Sequence, residues 1–121
     1  MTTKKIMIID DDQSMLFLEK AIFASAGYEV ISEADSTKAM AIIKTQMPQL
    51  ILMDIAMPEI NGIELSKKIR EDKELANVHI FGITGTPLIN DHNKGYFEKI
   101  IHKPFHMQDL LKEINVFFKK N

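Results

Sequence analysis

Apolar residues in this chain gather into five short runs separated by longer amphipathic stretches. The runs are Lys5–Ile9, Tyr28–Glu33, Leu50–Met53, His79–Thr84 and Lys99–His102. Their length and their bounding turn residues predict buried strands. The intervening stretches predict helices over Gln13–Ala26, Thr37–Gln46, Ile63–Glu71, a short one around Leu88–Lys94, and Met107–Lys119. Strict alternation of strand and helix implies an α/β fold, with parallel strands, right-handed crossovers and helices on both faces of the sheet. No repeat, low-complexity tract or linker interrupts the pattern, so residues 1–121 are expected to form one domain.

The last helix has the clearest period. Met107, Leu110, Leu111, Ile114, Phe117 and Phe118 recur at steps of three and four and form one broad stripe. In the first helix the corresponding stripe is Met15, Leu18, Ala21, Ile22 and Ser25, and Gly27 supplies a stop. Asp35 or Ser36 is placed to cap the second helix. The Asn61-Gly62 step marks a turn before the third, and makes Asp54–Gly62 a loop between strand and helix. Gly85, Thr86 and Pro87 leave room for about one or two helical turns before Gly95. The eight methionines fall mostly on predicted core faces, where an adaptable side chain fills irregular space.

Chemistry enters at the strand ends. Asp10-Asp11-Asp12 follows the first run, Asp54 the third and Lys103-Pro104 the fifth. A parallel sheet brings these carboxyl ends to one edge, the edge at which open α/β sheets bind ligands. Carboxylates crowded there repel one another unless a cation neutralises them, and a lysine across the pocket can oppose an arriving anion. The pattern proposes a metal-and-phosphate site. Asp12 reads best as a cap or first-turn charge for the first helix, and Asp10 alone could serve similarly. Lys103 has an alternative as a surface lysine, and Thr84 as a plain strand former. His102 alternates to the face opposite Lys103, which favours a packed or surface role. His79, His92 and His106 lack metal-ligand spacing.

Composition narrows the classes. The chain is 45% hydrophobic and 26% charged, as in ordinary globular proteins. It has no cysteine, which removes disulfides and thiolate metal sites. A net charge of −2 with Arg70 as sole arginine argues against nucleic acid as a partner. Lys67-Lys68 and Lys119-Lys120 read as solvated faces. No signal-peptide pattern or membrane-spanning run is present, so the expected location is cytoplasmic, without a membrane partner.

Five segments now stand in a telling order: Ile8-Ile9-Asp10-Asp11-Asp12, Met53 to Pro58, Asn61-Gly62, Ile83-Thr84-Gly85 and Lys103-Pro104-Phe105. In these the chain resembles the receiver domains of two-component response regulators, over essentially its whole length. The resemblance implies a flavodoxin-like (βα)5 sandwich, with a five-stranded parallel sheet in order 2-1-3-4-5. It implies Asp54 as the nucleophile that becomes an aspartyl phosphate, and Mg²⁺ bound directly by Asp11 and Asp54, with Asp10 acting mainly through water and the backbone carbonyl of Ala56 completing the ligands. Lys103 and Thr84 would bind phosphoryl oxygens. The implied partners are a histidine kinase or histidine phosphotransfer protein and a downstream protein target. An initiating Met1 before a complete first strand favours a stand-alone regulator over an excised one.

Three departures from the receiver pattern bear on output. Many receivers carry an aromatic three positions before the lysine, where this chain has Ile100. Tyr96 and Phe97 lie where the family often has Gly-Ala, and the Thr84–Lys103 interval is short. Neither Ala56 nor Thr86 positions an attacking water, which implies slow self-dephosphorylation. Among other readings, a haloacid-dehalogenase-type phosphatase needs an acid at Ala56, and a flavodoxin-like cofactor binder needs a phosphate loop where three acids stand. An unphosphorylated receiver-like scaffold would not need the full acid, threonine and lysine set.

Overall fold

The backbone follows the βα alternation closely. This computed structural model describes residues 3–85 and 95–120. Five strands, β1 (Lys5–Ile9), β2 (Glu29–Glu33), β3 (Leu50–Asp54), β4 (His79–Thr84) and β5 (Lys99–His102), form one parallel sheet in the order β2-β1-β3-β4-β5. The helices are α1 (Gln13–Ser25), α2 (Ser36–Gln46), α3 (Gly62–Glu71) and α4 (Met107–Lys120), with a 3₁₀ turn at Lys73–Leu75. The short helix expected around Leu88–Lys94 lies outside the described residues.

Strand alternation builds two cores. In β1, Met7 and Ile9 face α2 and α3 and pack with Ile51, Met53, Ile43, Leu65 and Ile69. Ile6 and Ile8 face the other way, among Leu50, Leu52, Phe81, Leu16, Phe23, Ile114 and Phe118 from α1, α4 and the sheet. The central strands are covered on both sides, which is why they read as unbroken apolar runs. Each large aliphatic side chain so buried contributes about 1.5–3 kcal/mol.

Helix ends follow local chemistry. The Asp12 carboxylate accepts from the backbone N–H of Ser14 and Met15, so it is the α1 cap. Asp35 caps α2 through Thr37, and Asn61 caps α3 through Glu64. Gly27 ends α1 with φ +99°, a left-handed conformation that a side chain disfavours. The expected α4 stripe is present: Leu110, Ile114, Phe117 and Phe118 are buried, with Met107 and Leu111 at its margins.

The expected α1 stripe is rotated from the real one. Leu16, Glu19 and Phe23 form the buried face, flanked by half-buried Met15 and Ile22. Leu18 is 45% exposed, Phe17 is 78% exposed, and Ala21 and Ser25 also lie outside. The helix carries a carboxyl at a core position and a phenyl ring in solvent, so its apolar periodicity points to the wrong face.

Candidate functional site

β1 and β3 are neighbours with Ile9 opposite Met53, so the residues at their carboxyl ends emerge together. Asp54 is the last residue of β3, and Asp10 directly follows β1. With Asp11 they form a cluster in which one carboxylate oxygen from each lies within 4.8 Å of the others. Asp10 and Asp54 are buried, at 5% and 6% exposure, whereas Asp11 faces solvent. Lys103 reaches the cluster from beyond β5, with Nζ 3.7 Å from Asp54 Oδ1. Its backbone N–H donates to the Thr84 carbonyl at 2.7 Å, which ties the end of β5 to the end of β4. Thr84 is itself buried beside this edge.

Several local devices hold the acids in place. The Asp12 N–H donates to Asp10 Oδ1 at 2.9 Å, and the Ala56 N–H donates to Asp54 Oδ1 at 3.3 Å. Buried Ser36 pins the loop after β3: its hydroxyl donates to the Pro58 carbonyl and accepts from the Ile60 N–H. Gly62 opens α3 directly against the end of β3. A Cβ there would stand 2.6 Å from the Asp54 carbonyl oxygen and 2.7 Å from Ile55 Cα, so only glycine fits without displacing β3.

Burial dominates the electrostatics of the acids. Burial pushes the Asp10 carboxyl up to about 6, helped by the nearby Asp54 charge and opposed by the Asp12 N–H and Lys103. Asp54 is also raised, because its burial outweighs the attraction of Lys103 and the Ala56 N–H. Glu19 is raised to about 7 by burial first and the Asp10 charge second. One lysine does not balance these acids, and hard oxygen donors at this spacing suit a small divalent cation.

Asp10, Asp11, Asp54, Lys103 and Thr84 thus meet at one edge, as expected. Asp12 is absent from the acid cluster and serves as the cap already described. His102 pairs with Thr84 in register but is exposed. His79 lies at the opposite end of β4, with Nδ1 2.8 Å from Glu98 Oε1, and His106 is exposed. Thr86 and His92 lie outside the described residues. Ile100 is half-buried against the core facing α2 and α3. Phe97 fills the space above Gly82, where a Cβ would meet its ring at 2.9 Å. Two contributors escape the sequence pattern: Glu19, hidden by its helix, and Gly62, whose role depends on a tertiary approach.

This geometry is that of an acidic edge with an opposed lysine on a flavodoxin-like sheet. Residues 6–115 match the family described as the response regulator receiver domain, and the chain belongs to that family, whose function is to accept a phosphoryl group and signal by conformational change. Among relatives, the polar-differentiation response regulator DivK of Brucella ovis is 29% identical over 118 residues, covering 95% of this chain and 96% of that protein. The CheY-like receiver domain protein of Methanospirillum hungatei JF-1 superposes with a TM-score of 0.86 at 29% identity, covering 98% and 96%. For the chemotaxis protein CheY4 of Vibrio cholerae the TM-score is 0.83 at 25% identity, covering 94% and 98%.

Gly62→Ala should destabilise the fold by about 1–3 kcal/mol and displace the β3 end, read as a lower urea midpoint. An unchanged midpoint would contradict the close approach. The raised acids also set a pH dependence. Between about pH 4 and 7 the folded protein holds more protons than the unfolded chain, so stability is lost as pH rises through that window. The lowered carboxyls of Asp35 and Asp72 titrate below it. In chelator, Tm should therefore fall from about pH 4.5 to 7.5; a rise over that interval would contradict the assignment.

Proposed function

We propose that residues 1–121 act as one receiver domain that takes a phosphoryl group from a phosphohistidine onto Asp54 in a Mg²⁺-dependent reaction. The observation that carries this reading is the meeting of Asp10, Asp11 and Asp54 within 4.8 Å, with Lys103 3.7 Å from Asp54. Asp10, Asp11, Asp54 and, by family resemblance, the Ala56 carbonyl would hold Mg²⁺. The ion supplies positive charge that offsets the acids and the phosphoryl oxygens.

The chain's own groups do the rest. An Asp54 carboxylate oxygen bonds to phosphorus as the P–N bond of the phosphohistidine breaks and its electron pair leaves on the imidazole. Lys103 exchanges its Asp54 partner for a phosphoryl oxygen, and the Thr84 hydroxyl donates to another. Both are set before the reaction by the link between β4 and β5, so little reorganisation is required. The only reactions promoted are the domain's own phosphorylation and dephosphorylation. The donor is a histidine kinase or histidine phosphotransfer protein, and the output is contact with a downstream protein. A net charge of −2 favours protein over nucleic acid as the partner. Among the described residues no helix is long and apolar enough to cross a membrane. An aspartyl-nucleophile phosphatase is disfavoured because Ala56 stands where it needs a proton donor.

Incubation with Mg²⁺ and acetyl phosphate should add one phosphoryl group to the intact mass. Asp54→Ala should abolish the adduct; a variant that still labels would overturn the assignment. With no carboxylate or amide at Ala56 or Thr86 to orient water, the adduct should persist for minutes after donor removal. Decay within seconds, followed by the same mass measurement, would contradict this.

A further inference from the structure

Glu19 is the one strongly buried charge on α1 that the phosphoacceptor chemistry leaves unexplained. It sits between Leu16 and Phe23 on the face that packs into the core shared with α4, and is 1% exposed. Its Oε1 has no hydrogen-bond partner among the described residues. A carboxyl in such a position costs folding stability, and a leucine would serve packing better. Sites that break a local rule in this manner are where function is expected to compensate.

The surroundings indicate what compensates. Among the described residues, the charges that weigh most on Glu19 are Asp10, Lys103, Asp54 and Asp12. All four belong to the acidic edge or its cap, and three are negative. Without a cation, Glu19 adds to a repulsion its neighbours already suffer. A divalent ion among Asp10, Asp11 and Asp54 reverses the balance, because it attracts Glu19 through an interior of low dielectric.

We propose that Glu19 is a fourth carboxyl of the metal site that never touches the ion: a buried charge that tightens cation binding through its field and weakens the fold when the cation is missing. The inference rests on the reading of Asp10, Asp11 and Asp54 as the Mg²⁺ site. It makes α1 a participant in metal binding and couples metal occupancy to stability.

The test uses the full chain at a pH of about 8, where Glu19 is ionised. Mg²⁺ affinity is measured by calorimetric titration for wild type, Glu19→Gln and Glu19→Leu, and Tm is measured with and without Mg²⁺. Both variants should weaken Mg²⁺ binding by at least about threefold. Glu19→Leu should raise Tm in chelator, and that advantage should shrink at high Mg²⁺ because the variant gains less from the ion. Wild-type affinity in either variant overturns the proposal. So does a Glu19→Leu advantage in Tm that is equal with and without Mg²⁺, which would mark a packing effect alone. A wild type that binds no Mg²⁺ at millimolar concentration overturns the underlying site reading, and this inference with it.

Discussion

Repulsion among carboxylates at the end of two adjacent strands is the constraint around which this structure is arranged. β1 and β3 must be neighbours for Asp10 and Asp54 to meet, and both strands must be dry for those acids to be buried at all. Burial then makes each charge expensive and each compensating contact strong. Among the described residues these contacts include one lysine from beyond β5, a backbone N–H to each buried acid, and a hydrogen bond between the two carboxyls. Such an edge suits the proposed pairing of a divalent cation with a phosphoryl anion.

The fold keeps this edge rigid while leaving it open. Two apolar layers clamp the sheet below the acids, and the loops above are tied down individually. Asp12 fixes the start of α1, Ser36 holds the loop after β3, and Gly62 lets α3 press against the end of β3. Lys103 is held differently, through β5, its N–H to the Thr84 carbonyl and its ammonium near Asp54. A change at Asp54 that moves Lys103 or Thr84 is therefore passed directly to β4 and β5. Ile100 of β5 and Phe97, just before it, pack into the core facing α2 and α3.

Much of this was legible in the residues alone, for reasons that differ by element. The central strands were evident because both faces are covered, and the caps at Asp12 and Asp35 because each acts within three residues of itself, whereas Asn61, expected as a turn residue, also caps α3. The acids and Lys103 could be placed at one edge once the strands were parallel. What stayed hidden depends on contacts between distant segments. The α1 face was misassigned because Glu19 occupies a core position while Phe17 and Leu18 lie in solvent. The close approach of Gly62 to Asp54, and the way Phe97 covers Gly82, are equally tertiary.

The central claim is that one edge collects a cation and then a phosphoryl group, and that β4 and β5 report the second event. Backbone amide NMR follows both steps separately. Mg²⁺ should shift the amides of Asp10–Asp12 and Asp54–Ala56, and a phosphodonor added afterwards should shift Thr84, Gly85 and Lys99–Lys103. Mg²⁺ shifts elsewhere, or a phosphodonor that leaves β4 and β5 unmoved, would contradict the account.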